Sequence, residues 1–184
     1  GHVSVGHAEP WAGPGAPASV LDALAGAAGA LVIDSAELGV TRAAELAQRQ
    51  SAQVHDLAFI RTRRWREMLA RVFDEPALAP ALGRVRGLRV LHAERTEHRG
   101  ASAEAELLVA WLGARLGWTP GLSDAAGQAI EVSIESQARS GVIPGCMLSV
   151  ALTAELPAGR LSARVEREAD GEHLSWTVES PHAP

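Results

Sequence analysis

Apolar and polar residues alternate through the last third of this 184-residue chain. Each alternating run is typical of a β-strand with one face in the core and one face in water. Asp170-Gly171 predicts a tight hairpin between the last two runs, and Pro157 to Gly159 predicts a turn between the two before them. The alternation therefore predicts an antiparallel strand meander with one solvated face. The apolar positions of the four runs are Ile130, Val132 and Ile134; Cys146, Leu148, Val150 and Leu152; Leu161, Ala163 and Val165; and Leu174, Trp176 and Val178.

The first two thirds of the chain alternate between helical and strand patterns. Residues 31–34 predict a short buried strand and residues 88–92 a second strand, while Ser102 begins and Gly117 ends a predicted helix with an apolar face. These elements predict an α+β (mixed α/β) fold in which helices pack on one face of a largely antiparallel sheet. Residues 1–19 are rich in Gly, Pro and Ala and predict a flexible lead-in, and residues 20–184 predict a single α+β domain.

Charge and motif content exclude several classes of protein. A net charge of −5 and a pI near 5.8 give no electrostatic basis for general binding to nucleic acid or anionic membranes. The chain contains no run long enough to span a membrane and no secretory signal, so we expect a cytoplasmic protein. The single cysteine, Cys146, lies in an apolar run and predicts a buried, inert thiol.

Signatures of catalysis and cofactor binding are absent from the sequence. It contains no nucleophile elbow, HExxH motif, phosphate-binding loop or dinucleotide-binding glycine fingerprint. The spacing of His92 and His98 fits no common metal pair. We therefore predict that the chain is not an enzyme and has no metal and no cofactor.

The stretch from Asp56 to Asp74 combines a basic surface with an apolar stripe. It holds five arginines against three acidic residues, whereas the whole chain is acidic. The stripe follows the three-and-four spacing of one helix face, and Arg61 falls on it, which predicts one arginine that points inward. The apolar residues of the stripe are Val54, Leu57, Ala58, Trp65, Met68, Leu69 and Val72.

Three interpretations of these arginines remain open at this point. The arginines could form a solvated helix face paired with Asp56, Glu67 or Glu45. Arg61 could instead form a half-buried ion pair that orients the helix against the sheet. In the third interpretation they form a docking site for an acidic partner or a phosphorylated ligand. The residues predicted for that binding site are Arg61, Arg63, Arg64 and Trp65.

Three segments of the chain, at residues 31–35, 56–69 and 105–117, resemble motifs of the glucose-6-phosphate dehydrogenase assembly protein (OpcA-type) family. The resemblance is close over residues 31–118 and loose over the strand-rich tail. Phe59, Thr62 and Arg64 stand where the family often has Trp, Leu and Pro. The matching residues are Leu31 to Ser35; Asp56-Leu57-Ala58, Arg61-Thr62, Trp65-Arg66-Glu67 and Leu69; and Ala105 to Gly117.

This resemblance implies a protein without chemistry of its own that binds glucose-6-phosphate dehydrogenase and promotes its assembly or activation, at the entry to the oxidative pentose-phosphate pathway. It also implies that the chain corresponds to the C-terminal part of a longer architecture. The alternative is a sugar-phosphate-binding sensor domain that uses the arginine cluster. A third hypothesis, a hydrolase, requires a pocket with a perturbed acid–base pair.

Overall fold

The computed structural model of the chain describes residues 18–27, 29–49, 53–95 and 102–181. The chain divides into two compact units between Asp56 and Leu57. The single domain over residues 20–184 stays a prediction. The predicted lead-in lies outside the described residues, apart from residues 18 and 19, which begin the first helix.

The N-terminal unit contains a two-stranded parallel sheet, in which Leu31 lies opposite Val54. The predicted strand at residues 31–34 is confirmed, but it is only partly buried, because Ile33 is buried whereas Val32 is exposed. The second strand of this sheet was missed, because its one apolar residue, Val54, was assigned to the helical stripe. The described elements are α1 (Ala18–Ala27), β1 (Ala30–Ile33), α2 (Ser35–Leu38), α3 (Val40–Arg49) and β2 (Gln53–Asp56).

Polar residues at the carboxyl ends of β1 and β2 hold this small sheet together. The Asp34 carboxylate accepts a hydrogen bond from the Ala36 backbone N–H at 3.0 Å and so caps α2. The Asp56 carboxylate accepts hydrogen bonds from the Ser35 backbone N–H, at 3.1 Å, and from the Ser35 hydroxyl. Both polar groups of Ser35 therefore tie the start of α2 to the end of β2.

The C-terminal unit is a five-stranded sheet with strand order β4-β3-β5-β6-β7. All neighbouring strands are antiparallel except β3 and β4, which are parallel. This arrangement confirms the predicted α+β class with a mostly antiparallel sheet. Its elements are α4 (Leu57–Arg61), α5 (Arg63–Val72), a 3₁₀ helix (Ala79–Arg84), β3 (Val85–Ala93), α6 (Ala103–Leu116), β4 (Glu131–Gln137), β5 (Met147–Leu156), β6 (Gly159–Arg167) and β7 (Leu174–Glu179).

The predicted meander is correct for β5, β6 and β7 and wrong for β4. Alternation specifies which face of a strand is apolar, but not which strand lies beside it. The segment between β3 and β4 contains α6, and a connection of that length lets the two strands run in the same direction. The strand β4 therefore pairs with β3, at the edge of the sheet opposite to β7.

A hairpin joins β6 to β7 with Asp170-Gly171 in its loop, as predicted, but it is not tight. The tight connection lies between β5 and β6, at the turn predicted for residues 157–159. Two residues join β5 to β6, and Leu156 lies opposite Gly159. Gly159 has a φ of 137°, a conformation that glycine adopts far more readily than other residues. Six residues separate β6 from β7, because the Asp170 carboxylate accepts hydrogen bonds from the backbone N–H groups of Glu172, at 2.9 Å, and His173, at 3.0 Å.

One apolar row crosses all five strands. Val90 of β3 lies opposite Ile134 of β4 and Val150 of β5, and the row continues through Val165 to Trp176. Residues of α5 and α6 share one buried core with this row. The neighbouring row, on the opposite face of the sheet, is polar or small. Its members are Ser133, Arg89, Ala151, Arg164 and Thr177.

The helix α6 begins and ends where the sequence predicts. Ser102 precedes it, and Gly117 ends it in the left-handed conformation with φ of 69°. The Ser102 hydroxyl donates to the Gly145 carbonyl oxygen at 2.6 Å instead of capping the helix. The start of α6 is thereby fixed to the segment before β5.

Candidate functional site on helices α4, α5 and α6

Thr62, and not Arg61, occupies the inward position between α4 and α5. Ala58, Thr62 and Trp65 are all buried, and Leu69 continues the same face. The Thr62 backbone N–H and hydroxyl both donate to the Phe59 carbonyl oxygen, at 3.1 and 2.7 Å, and tighten the chain there. The expectation that Arg61 points inward is therefore wrong, and its side chain is 42% exposed.

Arg61 links α4 to α6 by an ion pair. Its Nε donates to Oε1 of Glu104 at 2.7 Å, and the Glu104 side chain is largely buried. Glu104 lies in the first turn of α6, where a carboxylate also interacts favourably with the helix dipole. The predicted half-buried ion pair of Arg61 is thus present, but its partner belongs to a helix and not to the sheet.

Arg63 forms a surface ion pair within α5. Its Nε donates to Oε1 of Glu67 at 2.7 Å, one helical turn away. This hydrogen bond lowers the pKa of Glu67 and raises the pKa of Arg63. Both side chains are well exposed, so the pair contributes little to stability. For Arg63, the predicted solvated helix face with a Glu67 partner is confirmed.

Arg64 holds the loop between β6 and β7. One of its terminal nitrogens donates to the Glu172 carbonyl oxygen at 2.9 Å. Arg167 holds the same loop from its other side, since its guanidinium donates to the Gly171 carbonyl oxygen at 2.6 Å. Arg64 therefore has a structural contact in the fold.

An acid–base pair within this loop predicts a pH-dependent contribution to stability. The His173 ring lies 2.5 Å from the Asp170 carboxylate, which raises the pKa of His173; Glu172 raises it further and Arg64 opposes them. The contribution of His173 is complete below its ordinary pKa of 6.5 and is lost as pH rises through the raised value. The backbone N–H of His173, then its ring and the N–H of Glu172, hold the pKa of Asp170 low. Asp170 therefore contributes above its ordinary pKa of 3.8, and that contribution is lost as pH falls through the lowered value.

We expect an NMR titration of the His173 ring to give a pKa above 6.5, and the Asp170→Asn variant to bring it down. An unchanged His173 pKa in the variant would show that Asp170 does not control it.

Trp65 lies in the core of the C-terminal unit. Its side chain is 2% exposed and belongs to the same buried cluster as Leu69 and Val150. The Arg167 guanidinium carbon lies 5.7 Å from the centroid of the indole ring. Trp65 belongs to the apolar stripe, and its burial agrees with the helical spacing of that stripe. At 2% exposed, the indole offers almost no surface to a partner.

Arg66 is the unusual arginine of this region, and the sequence pattern did not single it out. Its guanidinium carbon lies 4.0 Å from the ring centroid of Phe59 and 5.7 Å from that of Trp111. Its Nε is buried and is the only buried side-chain nitrogen or oxygen of the described residues without a hydrogen-bond partner. Burial lowers the pKa of Arg66, and the nearby charges of Arg63 and Arg115 lower it further against the opposing effect of Glu67.

The signal for Arg66 was present in the sequence but scattered. Arg66 lies in one of the segments that carry the family resemblance, whereas Trp111 and Arg115 lie in another. Helical spacing places Trp111 and Arg115 on one side of α6. Only the packing of α4 and α5 beside α6 brings the two segments together.

Other chemistry has little support in the described part of the chain. No group of three His, Cys, Asp or Glu side chains there could hold a metal ion. His92 is buried, with Nδ1 3.0 Å from the Ala93 carbonyl oxygen, and His98 lies outside the described residues. Burial raises the pKa of the half-buried Cys146 thiol. Among the described helices, none combines the length and hydropathy that a membrane span requires.

The fold and these contacts define an α+β protein with a helical surface rich in arginine. Residues 52–179 match the family model for the C-terminal domain of the glucose-6-phosphate dehydrogenase subunit. The chain belongs to this family, as the resemblance predicted. The match extends through the strand-rich tail to the end of β7, while the motif at residues 31–35 lies outside it. A comparison with curated proteins found no match.

Proposed function

We propose that this protein binds glucose-6-phosphate dehydrogenase and promotes its assembly or activation, without catalysing a reaction itself. The family match over residues 52–179 carries this proposal. It spans all five strands of the larger sheet together with α4, α5 and α6. The proposed setting is the cytoplasm, at the entry to the oxidative pentose-phosphate pathway.

The contacts of the arginine region support a binding role. Arg61, Arg63 and Arg64 each contact a group of this chain, through Glu104, Glu67 and the Glu172 carbonyl respectively. The contacts of Arg61 and Arg64 join α4 to α6 and α5 to the loop before β7, which limits the movement of this surface. A preorganised surface binds a protein partner at a lower entropic cost than a mobile one.

The test is the dehydrogenase activity and oligomeric state of purified glucose-6-phosphate dehydrogenase, with and without a molar excess of the full chain. We expect a higher specific activity, a larger enzyme assembly, or both. The chain alone, given substrate and coenzyme, should show no activity and serves as the control. If neither property of the enzyme changes, the proposal is wrong.

A sugar-phosphate sensor is the second candidate, favoured by the unpartnered Nε of Arg66 beside Arg63 and Arg115. A ligand that binds only the folded protein must raise its melting temperature. The assembly proposal predicts no change in melting temperature with millimolar glucose 6-phosphate, whereas the sensor proposal predicts an increase.

A further inference from the structure

One face of α4, α5 and α6 combines basic and apolar side chains. We call it the Arg66 surface. It is centred on the Arg66 guanidinium, whose carbon lies 4.0 Å from the ring centroid of Phe59 and 5.7 Å from that of Trp111. Its members are Phe59, Ile60, Arg63, Arg66, Trp111 and Arg115.

The charge of this surface is not balanced from within the described chain. Arg66 and Arg115 form no ion pair with a described residue. The carboxylate that acts on Arg66, that of Glu67, is already paired with Arg63. Three guanidinium groups thus lie together on a chain of net charge −5. These like charges repel one another. A carboxylate brought to the surface would be attracted by all three guanidinium groups and would offset their repulsion.

The hydrogen-bonding state of Arg66 points the same way. Its Nε is buried without an acceptor, which is costly, and because a partner cannot reach a buried atom, only the terminal nitrogens of the guanidinium can receive a carboxylate. The contacts with Phe59 and Trp111 limit the movement of the guanidinium before any partner arrives. A planar fork held in this way suits the two oxygens of a carboxylate.

The apolar neighbours favour a protein over a small anion. Ile60 is 51% exposed on α4, beside Phe59, and Leu57 of the same helix is also exposed. A free phosphate would leave these side chains in water, whereas a polypeptide would cover them. Arginine and aromatic side chains surrounded by apolar contacts are typical of the residues that dominate binding at protein interfaces.

We propose that the Arg66 surface docks an acidic segment of the partner protein, with one carboxylate against Arg66 and others against Arg63 and Arg115. Under the proposed function, on which this inference rests, that partner is glucose-6-phosphate dehydrogenase. Apolar side chains of the same segment cover Ile60 and Leu57.

The test is the affinity of the full chain for purified glucose-6-phosphate dehydrogenase, measured by titration calorimetry for the wild type and two double variants. R66E/R115E reverses the surface, and R84E/R160E makes the same change of charge at exposed arginines elsewhere. We expect R66E/R115E to weaken binding by about a hundredfold or more and R84E/R160E by less than about threefold. The single variant R115E changes an exposed side chain that forms no hydrogen bond or ion pair with a described residue. It should weaken binding by about tenfold and guards against misfolding of R66E.

The outcomes separate this inference from the proposed function. If the wild type does not bind, the proposed function fails. If the wild type binds and both R66E/R115E and R115E bind as tightly as the wild type, the docking surface lies elsewhere and this inference alone is overturned. Raising the salt concentration should weaken the wild type more than the reversed variant. If glucose 6-phosphate raises the melting temperature of the wild type but not of R66E/R115E, the surface is a phosphate site and the acidic-segment inference is wrong.

Discussion

Replacing Trp65 with alanine should lower the free energy of unfolding by about 3–5 kcal/mol. The indole is 2% exposed and lies where α5 meets the sheet, in the cluster that also contains Leu69 and Val165. Removing it leaves a cavity that the neighbouring strands can only partly fill, because their backbone is fixed by hydrogen bonds on both sides. The measurement is urea denaturation followed by far-ultraviolet circular dichroism, which does not depend on the tryptophan that is removed.

Trp176→Ala is the matched control for this substitution. Trp176 lies on the same sheet, in the row of Val165, but at the edge strand, and it is 47% exposed. Its loss should cost about 1 kcal/mol, because much of the ring already contacts water. Equal losses for the two variants would contradict the placement of Trp65 in the core.

Replacing Leu108 with alanine should lower the free energy of unfolding by about 2–5 kcal/mol. Leu108 is 0% exposed and carries the packing of α6 against the core shared with Val90 and Val150. Leu108 also anchors α6 to the core close to Trp111, which lies one turn further along the helix. We therefore expect the near-ultraviolet circular dichroism signal of the aromatic residues to weaken at urea concentrations below the unfolding transition.

Leu107→Ala is the control, since it is the same chemical change at the preceding position of the same helix. Leu107 is only partly buried, so its truncation should cost clearly less than that of Leu108. If Leu107→Ala proves the more destabilising of the two, the face that α6 presents to the sheet has been assigned incorrectly.

Local pattern was enough to predict the elements whose faces differ in polarity. The meander of β5, β6 and β7 follows from alternation, and α6 follows from its apolar face with Ser102 and Gly117 at its ends. The pairing of β4 with β3 could not be obtained this way, because alternation carries no information about neighbours. The short helix α2 has too few residues to show a period, and β2 has one apolar residue, Val54, which the helical stripe claimed.

The arginine region shows where sequence reasoning stops. The three-and-four spacing correctly predicted helices with one buried face. It treated them as one helix across Thr62, whereas the chain tightens there and the inward position shifts by one residue. That shift exposes Arg61 and buries Thr62. Arg66 stands out because of its contacts with Phe59 and Trp111. Those residues belong to other helices, and the spacing of residues within one helix does not predict contacts between helices.

Association with glucose-6-phosphate dehydrogenase is the central claim of this account, and sedimentation velocity of the full chain mixed with the purified enzyme tests it most directly. We expect a species that sediments faster than either protein alone and contains both. Its amount should decrease as salt is raised, because the proposed contact is electrostatic in part. If the two proteins sediment independently at low salt and at concentrations of tens of micromolar, a level at which functional partners normally associate, the account is contradicted.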